Sequence, residues 1–132
     1  MKKLLIAANA GDAAAQFNLG VMLHGRPDPA GQEFGQNRAD AIDWLLQAAH
    51  QGLPRAHLKL AEVYADPPQS RGDDVRACTW FRVAMSSTFG VHRHRAKEGF
   101  DRLAVGLSSA QLRHAERDAR AVHRAQTLAA IS

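Results

Sequence analysis

The sequence predicts an all-α protein, a short solenoid of helix-turn-helix repeats forming one domain over residues 1–132, and three observations predict it. Blocks of the chain recur at shifts of 36 to 41 residues, the size of a two-helix solenoid unit. One Tyr, few β-branched residues and abundant Ala favour helix over sheet. Pro, Gly and Asp gather between the amphipathic segments rather than inside them.

The repeats are legible residue by residue. At a shift of 41, Leu4, Leu5, Ala7, Ala8, Gly11, Ala15 and Leu19 fall on Leu45, Leu46, Ala48, Ala49, Gly52, Ala56 and Leu60, each pair identical. At a shift of 36, Ala41, Trp44 and Ala48 fall on Ala77, Trp80 and Ala84, with Leu45 on Phe81. A worn copy at a shift of 40 sets Ala96, Phe100 and Leu103 on Ala56, Leu60 and Val63. The units are a half-repeat at 1–10, repeats at 11–51 and 52–88, and a degenerate repeat with a C-terminal capping helix at 89–132. Helices are expected at about 2–10, 12–24, 37–50, 54–65, 74–86, 93–105 and 109–129. Within each unit Ala15, Ala48, Ala56 and Ala84 let helices approach, while Leu19, Trp44, Leu60 and Trp80 fill the space between them.

The helix ends have their own signals. Asp12 and Asn37 stand at N-cap positions, and Pro54 at a first helical turn. Gly11 and Gly52 close the preceding helices as left-handed C-caps. Ser108-Ser109-Ala110-Gln111 reads as a capping box, with Ser108 accepting from the amide of Gln111 and Gln111 reaching back. The two long connectors are Gly25 to Gln36 and Asp66 to Asp73.

Several classes of protein are excluded. With 132 residues, 45% of them hydrophobic, the chain has room for one compact domain and not for a large multidomain enzyme. No apolar run of 18 residues is present to cross a membrane. A single cysteine, Cys78, rules out an intramolecular disulfide and a Cys-based zinc finger. Cys78 stands two residues before Trp80 on a packing helix, where a free thiol behaves as a small hydrophobe. Two of the seven histidines, His92 and His94, are spaced for a strand rather than a helix, and no Cys or patterned carboxylate completes a tetrahedral set. Neither Gly-x-Ser-x-Gly, Ser-x-x-Lys nor a Gly-rich phosphate loop is present. The chain is therefore expected to have no catalytic residues, no metal and no cofactor.

Charge is uneven. Residues 1–66 carry six Lys/Arg and seven Asp/Glu, whereas residues 67–132 carry eleven and six, within a net charge of +4. Such asymmetry favours an acidic partner or nucleic acid, although an Arg-rich composition is also a bland property of base composition. In the last helix Leu112, Ala115, Ala119, Val122 and Ala129 form the packing face, with Glu116 four residues before Arg120 as a local ion pair. Arg113, Arg117, Arg120 and Arg124 line another face, spaced to suit phosphates, but no aromatic residue interleaves for base stacking.

The run Ala-Ala-x-x-Gly-Asp-x-x-Ala-Gln-Phe-Asn-Leu-Gly-x-Met-Leu from Ala7 to Leu23, followed by Ala-Ile-Asp-Trp-Leu-Leu-Gln-Ala-Ala-His-Gln-Gly from Ala41 to Gly52, resembles the Sel-one-like repeat family, relatives of the tetratricopeptide repeats. The resemblance recurs more loosely at Ala56–Tyr64 and Ala77–Ala84. It implies a right-handed α-solenoid that serves as an adaptor or scaffold and carries no catalytic residues. The chain departs from the pattern where Leu23 replaces the family's aromatic, which Tyr64 keeps, and the lone Cys78 contradicts the disulfide-rich secreted branch. Met1 to Ala10 has the lysines and small residues of a secretion signal, but Leu4 to Ala8 is a short apolar core. Because this stretch duplicates the end of a repeat, the expected location is cytoplasmic.

The resemblance also places the first helix of each pair on the concave surface. With Ala15, Leu19 and Met22 packed on one side and Phe17 on the other, the open row of the first unit is Ala14, Asn18 and Val21. Its counterparts are Arg55, Lys59 and Glu62, then Arg95, Gly99 and Arg102. Asn18, Val21, Arg55, Lys59, Glu62, Arg95 and Arg102 are thus the candidate partner-binding residues. The expected function is a bacterial-type, non-enzymatic adaptor binding an acidic peptide or protein there. Two alternatives stand beside it: an inhibitor or immunity-type protein acting through Gly25 to Gln36, and a nucleic-acid binder acting through the arginines of the last helix. A homodimer is a further expectation, because Leu4, Leu5 and Ile6 lie on a half-repeat that lacks its partner helix.

Overall fold

Ala-rich segments punctuated by caps give helices alone throughout the described residues. The computed structural model describes residues 2–25, 36–65 and 72–131, which form α1 (Lys2–Asn9), α2 (Ala13–His24), α3 (Gln36–His50), α4 (Pro54–Ala65), α5 (Asp73–Ser87), α6 (Gly90–Ala104) and α7 (Ser109–Ile131). Most of both long connectors, Gly25 to Gln36 and Asp66 to Asp73, lies outside the described residues.

The helix ends follow from local chemistry. Gly11 and Gly52 adopt φ of 99° and 87°, a region closed to most side chains, and each ends its helix with the paired bonds of a Schellman turn. The Gly11 amide donates to Ala8 O and that of Asp12 to Ala7 O, both at 3.1 Å; Gly52 and Leu53 repeat the pattern on Ala49 and Ala48. Asp12 caps α2 by accepting from the Ala15 amide at 3.1 Å, and Pro54 opens α4. The reciprocal box at α7 is complete, with Gln111 N–H donating to Ser108 Oγ at 3.1 Å and Ser108 N–H to Gln111 Oε1 at 2.8 Å. Two ends differ from expectation. Asn37 lies inside α3, because Gln36 is already helical. Helix α6 starts at Gly90 instead of residue 93, since Thr88 and Phe89 are extended and the positive φ of Gly90 turns the chain straight into the helix.

Packing runs between neighbours: α1 on α2, α2 on α3, α3 on α4, α4 on α5 and α5 on α6. The repeated alanines Ala15, Ala48, Ala56 and Ala84 are all buried, and Leu19, Leu60 and Trp80 fill the spaces between helices. Trp44 is only partly buried and serves a small satellite cluster with Ala8, Ala15 and Leu19. On α1, Ile6 is 65% exposed and Leu5 is exposed as well. Met22, expected in the packing face of α2, is 37% exposed. Its place at the interior of α2 is taken by Leu19 and by Gly20, whose missing side chain admits Leu45: a Cβ at Gly20 would meet Leu45 Cγ at 2.6 Å.

Helix α7 folds back onto α5. Ala115 and Ala119 are buried and Val122 packs on the main core, while Ala129 lies outside the described side chains. That placement corrects the local pair expected for Glu116. Its carboxylate accepts from Arg82 Nε on α5 at 3.1 and 3.3 Å, because α7 brings it against that helix, and Arg120 stays exposed without it.

Three polar seams join the layers. Buried Gln16 donates to Ala8 O at 3.1 Å and accepts from Gln51 at 2.8 Å, linking α1 and α2 to the turn after α3. Arg38 donates to Val63 O at 3.1 Å and pairs with buried Asp73, tying α3 to α4 and α5. His57 of α4 meets Ser87 Oγ at 2.8 Å and Ala49 O at 3.1 Å, and its ring stacks on Trp80 with centroids 5.8 Å apart. Gln126 of α7 reaches into the same seam, donating to Ala49 O at 2.9 Å.

A basic groove across α2, α4 and α6

The first helix of each pair contributes one row of side chains to a shared groove with two adjoining pockets. One, of about 280 Å³, is lined by Phe17 and Val21 of α2, Arg55, Leu58, Lys59 and Glu62 of α4, and His92 and Arg95 of α6. The other, of about 410 Å³, continues from it along α4 and α6. It shares Lys59, Glu62 and Arg95 and adds His24, Ala65, Phe81, Glu98, Gly99 and Arg102. Six of the seven candidate residues, Val21, Arg55, Lys59, Glu62, Arg95 and Arg102, line these pockets; Asn18 is exposed on α2 and lines neither.

Helical geometry explains the gathering. Arg55, Lys59 and Glu62 step by four and three along α4, and Arg95, Gly99 and Arg102 do the same along α6, so each set holds one face. Gly99 keeps its place in the row and lines the pocket, but it is buried, with the Phe81 ring over the position of its missing side chain. Lining residues absent from the expected set are legible from the same arithmetic. Glu98 follows Arg95 by three, His24 follows Val21 by three, and Ala65 follows Glu62 by three. Phe81 enters from the neighbouring second helix, which periodicity within one helix does not reveal.

The electrostatics are those of a cationic groove. Arg55, Lys59, Arg95 and Arg102 face two carboxylates, Glu62 and Glu98. Arg95 donates to Glu62, joining α6 to α4. Glu98 lies 3.0 Å from His94 Nε2. The Arg55 guanidinium sits 5.1 Å from the centre of the Phe17 ring, an arrangement that fixes the cation over an apolar wall. Lys59 and Arg102 have no carboxylate partner among the described residues.

Elsewhere the chemistry is sparse. No group of three or more His, Cys, Asp or Glu residues able to hold a metal ion occurs among the described residues. Cys78 is fully buried, and desolvation, reinforced by the negative charge of Asp74, pushes its thiol up to about 11. A thiol so placed is inert at neutral pH. Arg113, Arg117, Arg120 and Arg124 are exposed along α7, which packs on α5, and none of them lines the groove pockets. No helix among the described residues is long and apolar enough to cross a membrane.

No known family profile matches the chain, and no curated protein is similar to it. Among solved structures it is similar to a protective antigen present in uropathogenic Escherichia coli strains that displays an SLR fold, with a TM-score of 0.72 and 28% identity. The likeness covers 94% of this chain and 26% of the antigen, so the chain spans about a quarter of that protein's length. Seven helices packed in neighbouring pairs, repeat signatures at matching positions and this structural likeness together establish that the described residues form a short α-solenoid with the Sel-one-like repeat (SLR) fold.

Proposed function

We propose that the protein is a non-enzymatic scaffold that binds an acidic segment of a partner protein in the groove across α2, α4 and α6. Repeat solenoids use such extended surfaces for protein recognition. The observation that carries the reading is the row of four cations, of which Lys59 and Arg102 line a pocket and have no carboxylate partner among the described residues. Both side chains can make charge-assisted hydrogen bonds to a carboxylate without first losing an ion pair. Phe17, Val21 and Leu58 add apolar surface to the same groove.

A comparison of two charge reversals tests this. Lys59→Glu with Arg102→Glu should abolish capture of the native partner from a lysate, while Arg113→Glu with Arg120→Glu should leave it intact. If the α7 pair is the sensitive one, and binding falls steeply with added salt while the captured material is nucleic acid, the groove reading fails.

A further inference from the structure

The Glu62–Arg95 pair occupies the wall common to both pockets, and it is the tie between two first helices that otherwise touch little. Both partners are partly open to water, so solvent and salt weaken the pair, and exchanging one carboxylate for another costs little. Glu62 is an acidic group paired with Arg95 in a groove that carries three further cations, Arg55, Lys59 and Arg102, the surroundings expected for the acidic group of a ligand.

We propose that Glu62 is an internal stand-in for the ligand: an incoming acidic side chain displaces it from Arg95 and opens the wall between the pockets to a continuous extended peptide. The proposal rests on the acidic-segment reading above and gives that ligand a pattern. In an extended peptide, side chains two residues apart share a face about 7 Å from each other. Arg95 lines the same pocket as Phe17, Val21 and Leu58, so with a carboxylate on Arg95 the proposal places the residue two positions away against those apolar walls, beside the Arg55–Phe17 stack. The ligand class is an extended peptide with an aliphatic residue two positions from an acidic one. Until it arrives, Glu62 neutralises Arg95 and discourages weaker anions, which adds selectivity at the cost of some affinity.

The test uses the full chain and a fluorescein-labelled peptide of Leu-Gly-Glu triplets, with Gly-Gly-Glu triplets as control, read by fluorescence anisotropy at low ionic strength. Glu62→Gln should bind the leucine peptide about three- to fivefold more tightly than the parent, the gain expected when a partly exposed competitor is removed. Glu98→Gln removes the same charge from the same groove without touching Arg95 and should gain clearly less. The control peptide should bind both the parent and Glu62→Gln more weakly. No gain in Glu62→Gln, an equal gain in Glu98→Gln, or no preference for leucine overturns the stand-in proposal while leaving the acidic-segment reading in place. Failure of both peptides to bind the parent and Glu62→Gln alike overturns the two together.

Discussion

The Phe81 ring lies over Gly99 so closely that a Cβ built at Gly99 would come within 2.4 Å of Phe81 Cζ. Leu45, which holds the equivalent repeat position, presses in the same way on Gly20, but on the helix before it rather than the helix after it. In both cases a bulky side chain on a second helix uses a glycine on a first helix to bring the two backbones together.

Gly99→Ala should therefore be destabilising by about 1–3 kcal/mol, because the new methyl collides with the buried Phe81 ring, which must shift to admit it. In a Phe81→Leu background the same change should cost far less, since the crowded ring atoms are gone. Urea melts of the four proteins of this cycle measure the coupling, and equal costs of Gly99→Ala in both backgrounds would contradict it.

The two tryptophans share a repeat position but not a degree of burial. Trp80 is buried between His50 and His57, with ring centroids at 5.9 and 5.8 Å, and Trp80→Ala should cost about 3–5 kcal/mol. Trp44 packs only on the satellite cluster near α1, so Trp44→Ala should cost about half as much. Equal shifts of the urea midpoint would show that the cluster near α1 is as tightly packed as the main core.

Acid should weaken the fold through His57. Burial lowers its pKa from the ordinary 6.5, an effect opposed by the Ala49 carbonyl and reinforced by nearby His50. The unfolded chain then binds more protons than the native one as pH falls below about 6.5, so stability is full above that pH and declines toward the lowered native value. Ser87 Oγ donates to Val83 O, so it accepts from Nδ1–H, while Nε2 lies 3.1 Å from both the Ala49 carbonyl and the Gln126 amide nitrogen. The midpoint difference between pH 7.5 and 5.5 should be larger in the parent than in His57→Gln, and the same difference in both would exclude His57 as its source.

The thiol of Cys78 should be silent in the native state. With its pKa pushed up to about 11 by burial and Asp74, reaction with a disulfide reagent at pH 8 should be negligible over minutes and complete in concentrated urea. Rapid labelling without denaturant would show that α5 opens locally, far more readily than its packing implies.

Much of this architecture is written in identities that need no structure to read. The 41- and 36-residue shifts locate α1 to α5, and the capping box at Ser108 locates α7, each to within about two residues, because small residues and caps recur where helices must approach and stop. Six candidate site residues reach the groove because a helix face is a matter of counting. Contacts between elements were harder to read. Gly99 counts onto the open row, and only its position inside a helix, where glycine costs about 1 kcal/mol, hints that another side chain needs the space. Glu116 has an arginine four residues on, yet it pairs with Arg82 of α5 because α7 folds back, a choice no local pattern encodes.

That fold-back changes the character of the molecule. In a plain stack each unit touches only the next, stability is close to a sum over neighbours, and units peel from an end in succession. Here Gln126 hydrogen-bonds to Ala49, 77 residues earlier, and meets His57, 69 residues earlier. The last helix thus reaches back to α3 and α4 as well as to α5, so its release should disturb three helices together instead of fraying one end.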